Sequence, residues 1–119
     1  TFHDSKPQGE KVIKVINVET ITLSELIEKY GLPKFIKIDV EGFEYEVLKT
    51  LKRKVNGIAF EFSPSKKEVV KDCMDHLKKI GYKDFNFSYI PEFKLELSNW
   101  SENPLEFIKK RGGDLYAKH

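Results

Sequence analysis

Phe35-Ile36-Lys37-Ile38-Asp39-Val40-Glu41-Gly42 is the stretch from which the rest of the chain can be read, and Gly57-Ile58-Ala59-Phe60-Glu61-Phe62-Ser63 echoes it. Each is a short apolar run rich in β-branched or aromatic residues, and each delivers a carboxylate as it ends. Between them, Phe43, Val47, Leu48 and Leu51 form a helical stripe. Glu44 and Glu46 sit near its start and Lys49, Lys52, Arg53 and Lys54 at its end, the order that suits a helix dipole. Strand, helix and strand in about thirty residues make a βαβ unit with parallel strands. Ligands of open parallel sheets bind beyond the carboxyl ends of the strands. Asp39, Glu41 and Glu61 are therefore expected on one rim, with the chemistry there.

Working outward, residues 1–10 are polar and turn-rich without a period, and are expected to be loop. Lys11 to Val18 alternates and carries five β-branched residues, so it is expected to be a strand. Thr22-Leu23-Ser24-Glu25 reads as a capping box, and Leu23, Leu26, Ile27 and Tyr30 as the apolar stripe of a helix stopped by Gly31 and Pro33. Past the second strand, Ser65-Lys66-Lys67-Glu68 reads as another capping box. It opens a helix whose apolar face is Val69, Val70, Cys73, Met74, Leu77 and Ile80, closed by Gly81. Phe85, Phe87 and Tyr89 alternate with polar residues, as do Phe93, Leu95 and Leu97, which suggests two antiparallel strands joined through Ile90-Pro91-Glu92. Asn103-Pro104 opens a short helix containing Leu105, Phe107 and Ile108, and Asp114–His119 is expected to be the last strand. The expectation is one α/β domain over residues 1–119, with parallel strands, flanking helices and an antiparallel element at the C-terminal end.

Composition narrows the function. A net charge of +2, with lysines spread along helix faces, gives no electrostatic footprint for nucleic acid. No apolar run approaches the roughly eighteen residues that cross a bilayer, and no signal peptide is read at the N-terminus. Cys73 is the only cysteine, so an internal disulfide is impossible and a reducing, cytoplasmic setting is expected. Its place on an apolar helix face makes it a buried, inert thiol. Met74 is expected to be core filler, and His76 a surface residue without a partner. The sequence holds no Gly-x-Gly-x-x-Gly, no phosphate-binding Gly-Lys-Ser/Thr, no Cys/His metal spacing and no serine nucleophile elbow.

The carboxylates allow several chemistries. Adjacent strands lie about 4.8 Å apart, so Asp39 and Glu61 are expected to approach one another. Two ionised carboxylates at close range need a cation, a proton or a donor between them. They could ligate magnesium or calcium together with Glu41, hold a cationic or hydroxyl-bearing substrate, or act as a general base whose pKa one raises in the other. The structural alternative is that Asp39 or Glu41 caps the next helix while Glu61 pairs with Lys37. Gly42 points to a tight turn that lets a ligand or backbone come close.

Val18–Ile27, Phe35–Glu44, Val47-Leu48-Lys49 and Ile58–Phe62 together resemble the FkbM-like methyltransferases, and the Lys-Ile-Asp-Val-Glu-Gly block is the most specific part. The closing Gly-Gly-Asp-Leu-Tyr-Ala-Lys is similar to the family's last strand. The likeness runs from about residue 12 to the end and is weakest over 84–104. It implies S-adenosylmethionine as cofactor and a partial Rossmann-like methyltransferase sheet, here its fourth to seventh strands. By position, Asp39 matches the acidic residue near the transferred methyl group, Glu41 and Gly42 complete the motif, and Glu61 matches the residue ending the next strand. The resemblance thus implies Asp39, Glu61 and Glu41 as catalytic and Asp39 and Gly42 as cofactor-binding.

The family's glycine-rich loop and ribose-binding acid have no counterpart in this sequence, and both would lie before Thr1. Strand 35–40 is then expected to expose an apolar edge. Such an edge implies either a longer natural protein or a homodimer formed through it. The leading expectation is the C-terminal part of a methyltransferase acting on a hydroxyl of a sugar or small metabolite. A non-catalytic half-sheet interaction module and a divalent-metal-binding domain are the alternatives.

Overall fold

The computed structural model describes residues 2–5, 12–15, 22–40, 42–90, 92, 94–109 and 111–119. In chain order the elements are β1 (Phe2–Ser5), β2 (Val12–Val15), α1 (Leu23–Tyr30), β3 (Phe35–Ile38), α2 (Glu44–Leu48), β4 (Gly57–Phe62), α3 (Lys67–Lys79), β5 (Asp84–Tyr89) and β6 (Gly113–Lys118). Short 3₁₀ turns occupy Pro64–Lys66 and Pro104–Phe107. The strands form a single sheet in the order β1-β2-β3-β4-β6-β5. β2, β3 and β4 run parallel, β1 is antiparallel to β2, and β6 is antiparallel to both β4 and β5.

The parallel core is the expected βαβ unit, extended by one strand. Ile36 and Ile38 of β3 and Ile58, Phe60 and Phe62 of β4 alternate toward one face. There they join Leu23, Leu26 and Ile27 of α1, Leu48 of α2 and Val70, Cys73, Met74 and Leu77 of α3 in one buried cluster. All three helices therefore lie against the same face. β5 and β6 complete that face with Phe85, Phe87, Leu115 and Ala117.

Local chemistry explains the helix ends. At α1 the capping box is complete: the Glu25 amide donates to Thr22 Oγ1 at 3.0 Å, and the Thr22 amide donates to Glu25 Oε1 at 3.0 Å. Gly31, at φ +92°, sends its N–H back to the Ile27 carbonyl at 2.7 Å. α2 spans five residues and is shorter than the stripe from Phe43 to Leu51 implies. Thr50 ends it, donating its hydroxyl to the Val47 carbonyl and accepting the Leu23 amide, while the Ser24 hydroxyl donates to the Thr50 carbonyl. The end of α2 is thereby fastened to the start of α1. Leu48 and Leu51 are buried as the stripe implied, but Phe43 is 65% exposed.

Further expectations are corrected. The Ser65–Glu68 capping box does not form. Pro64 drives a 3₁₀ turn, the Ser65 hydroxyl bonds Ser63 at 2.9 Å, and no described side chain caps α3. Residues 2–5, expected to be loop, form β1, a short outer strand that needs only ladder pairing and no apolar period. The edge of β3 expected to be open is paired with β2.

The segment around 94–97 is not a strand; Phe93 lies outside the described residues. The chain nevertheless runs beside β5, where the Asn86 side chain does the pairing. Asn86 Nδ2 donates to the Leu97 carbonyl and its Oδ1 accepts the Leu97 amide, at 2.8 and 2.9 Å. The Glu96 amide donates to Phe87 and a bridge joins Phe85 to Ser101.

Tyr82 pins the turn before β4. Its buried hydroxyl donates to the Val55 carbonyl and accepts the Val55 amide, both at 2.7 Å, and burial pushes its pKa up to about 12. His76, expected to be unpartnered, is half-buried with Nε2 at 2.8 Å from the Leu51 carbonyl. Cys73 is buried and free, with its thiol pKa pushed well up by burial. Among the described residues no helix is long and apolar enough to cross a membrane.

Candidate functional site

The register of the parallel strands builds the site. Lys37 pairs with Ala59 and Ile38 with Phe60, so the next residues in register are Asp39, just past the end of β3, and Glu61, near the end of β4. On the other side of β4, Glu61 is registered directly against Asp114. Ile38 and Val40 are buried on the helix face, which turns Asp39 to the opposite one, and the same alternation turns Glu61 away from Phe60 and Phe62. Asp39, Glu61 and Asp114 thus form a row across β3, β4 and β6, on the face away from the helices.

Glu61 carries the electrostatic mark of this row. Its pKa is raised, first by burial and then by the negative charges of Asp39, Glu44 and Asp114, with Lys37 acting in the opposite sense. The expected pairing of Lys37 with Glu61 is corrected: the Lys37 ammonium donates to Asp114 Oδ1 at 2.8 Å. Lys37 therefore pairs with the far member of the row, Asp114, and only partly offsets the charges around Glu61.

Glu44 is the member that sequence reasoning missed as a site residue. It is only 3% exposed, and Oε1 accepts the Gly42 amide at 2.9 Å. Neither Asp39 nor any other described side chain caps α2. Gly42 has φ +97°, and a Cβ placed there would lie 2.5 Å from the Lys66 ammonium. The close neighbour at Gly42 is thus the Lys66 side chain, not the ligand or backbone that the turn suggested. Gly42, Glu44, Glu61, Ser63 and Lys66 line a cleft of about 310 Å³ with Phe62, Val69 and Val70 behind them. Asp39 stands beside this cleft and does not line it. Glu41 lies outside the described residues.

Sequence signals for the missed residues existed but were ambiguous. Glu44 suited a helix start, and Lys66 stood inside an apparent capping box. Asp114 stood in the closing strand, whose position in the sheet no local pattern reveals. Among the described residues no three His, Cys, Asp or Glu side chains are grouped to hold a metal ion.

A parallel βαβ sheet with a final strand inserted antiparallel, and carboxylates gathered where its central strands end, defines a partial Rossmann-like methyltransferase sheet. The methyltransferase FkbM domain matches residues 1–89, and the chain belongs to that family. The match runs from β1 through β5, and β6 follows it. Comparison with curated proteins and comparison with solved structures each returned no match.

Proposed function

We propose that this chain is the C-terminal, acceptor-side part of an S-adenosylmethionine-dependent methyltransferase that methylates a hydroxyl of a sugar or another small metabolite. The observation that carries this reading is Glu61, a half-buried carboxylate of raised pKa lining a cleft with Asp39 at its side. The negative rim fits the positive sulfonium centre of the cofactor. The glycine-rich loop that holds the rest of the cofactor in the family has no counterpart in this sequence, so this chain contributes Asp39 toward the sulfonium and Glu61 toward the acceptor. When bound, S-adenosylmethionine supplies a methyl group made electrophilic by that sulfonium.

Glu61 receives the proton of the acceptor hydroxyl at a carboxylate oxygen. Its raised pKa makes it a stronger base than an ordinary glutamate, and the neighbouring negative charges sustain that basicity. Asp39 orients the hydroxyl from the adjacent strand end, and such alignment supplies much of the rate enhancement in a two-substrate reaction. Glu44 holds the Gly42 amide and so fixes the turn from β3 into α2. A reducing, cytoplasmic setting accords with the single buried thiol.

Calorimetry with S-adenosylmethionine tests the reading, on this chain and on any longer natural form carrying residues before Thr1. Saturable binding by the longer form, weakened in D39N, is the expected result. A longer form that ignores the cofactor overturns the proposal.

A further inference from the structure

A second cleft, of about 290 Å³, lies next to the acidic one and shares Phe62, Ser63 and Val70 with it. Phe62 and Val70 are buried beneath it, and Leu105 and Ile108 from the 3₁₀ turn and its exit form the opposite wall. Lys67 and Lys109 stand on its border, and no described carboxylate pairs with either. Helix stability does not explain Lys67, because it opens α3, where the helix dipole opposes a cation. Leu105, 36% exposed, is likewise not accounted for by the core. Residues that break a local rule without a structural return are expected at functional positions.

We propose that this cleft binds the apolar body of a medium-chain hydroxy acid, with the carboxylate held by Lys67 and Lys109. The floor and walls are mainly apolar, and the one hydroxyl among the lining residues, Ser63, is already bonded to Ser65, so the cleft suits an alkyl chain better than the ring hydroxyls of a sugar. The volume is at the small end of ligand pockets, which run from about 300 to 1,000 Å³, so the body is short. That the bound hydroxyl turns into the acidic cleft, across Phe62 and Val70, rests on the methyl-transfer reading. The binding itself does not.

The test is an NMR titration of the ¹⁵N-labelled chain with 3-hydroxyoctanoate, without methyl donor, beside its methyl ester and methyl glucoside. Saturable shifts confined to Val70, Leu105, Ile108 and their neighbours are expected with the acid. The ester is expected to bind at least tenfold more weakly, and the glucoside to give no shifts. Leu105→Asp, at an exposed position, should weaken the acid tenfold or more, and so should K67E combined with K109E, with far-UV circular dichroism unchanged. Absence of saturable shifts, equal binding of acid and ester, or full affinity in Leu105→Asp overturns the proposal. So does concentration-dependent dimerisation abolished by Leu105→Asp, which assigns the cleft to a second copy of the chain. Failure here leaves the methyl-transfer reading standing, and failure of donor binding leaves this site standing.

Discussion

Glu61 and Gly42 show most clearly what single residues do in this fold. The raised pKa of Glu61 means the folded state binds its proton more tightly than the unfolded state, whose value is near 4.5. Stability linked to this group is therefore greatest below 4.5 and falls as pH rises through the folded value. Glu61→Gln should remove that slope and raise the melting temperature at neutral pH, as measured by thermal unfolding across pH. The same variant should lose about 10²–10⁴ in methyl-transfer rate, the usual worth of a general base. Replacing Gly42 by Ala confronts both a positive φ and the Lys66 ammonium, and should cost about 1–3 kcal/mol in denaturant unfolding. Asp39 and Glu61 could be foreseen because strand ends in one βαβ unit must share a rim. Glu44 and Lys66 could not, since their roles depend on a turn whose local sequence also reads as ordinary helix capping.

At the scale of elements, two similar sequence signals had different outcomes, and substitution separates them. Thr22 closes a real capping box, so Thr22→Ala should cost about 1 kcal/mol. Ser65 bonds Ser63 instead of α3, so Ser65→Ala should stay within about 0.5 kcal/mol. Chemical denaturation of the two variants checks both. Tyr82→Phe strips a buried carbonyl and a buried amide of their partner and should cost about 1–3 kcal/mol. The helix faces were legible because burial imposes a 3.6-residue period on α1 and α3. The length of α2 was not, because the tertiary bonds of Thr50 stop the helix before the apolar stripe ends. Alternation also misled at Leu95, which is exposed: a period of two reports a strand only where one face is buried.

In the molecule as a whole, the arrangement of strands decides which charges meet. β6, last in sequence, enters between β4 and β5 and brings Asp114 directly opposite Glu61. Local patterns cannot show this, because strand order is a long-range choice. The same holds for β1 and β2, which occupy the side of β3 that the family resemblance left open. The central claim, that Asp39 and Glu61 share one acidic rim, is tested most directly by a ¹³C carboxyl titration of Glu61 in the wild-type chain and in Asp39→Asn. Glu61 is expected to titrate above 4.5 in the wild type and to move downward when Asp39 loses its charge. A Glu61 that titrates at or below 4.5, unmoved by the substitution, would contradict the account.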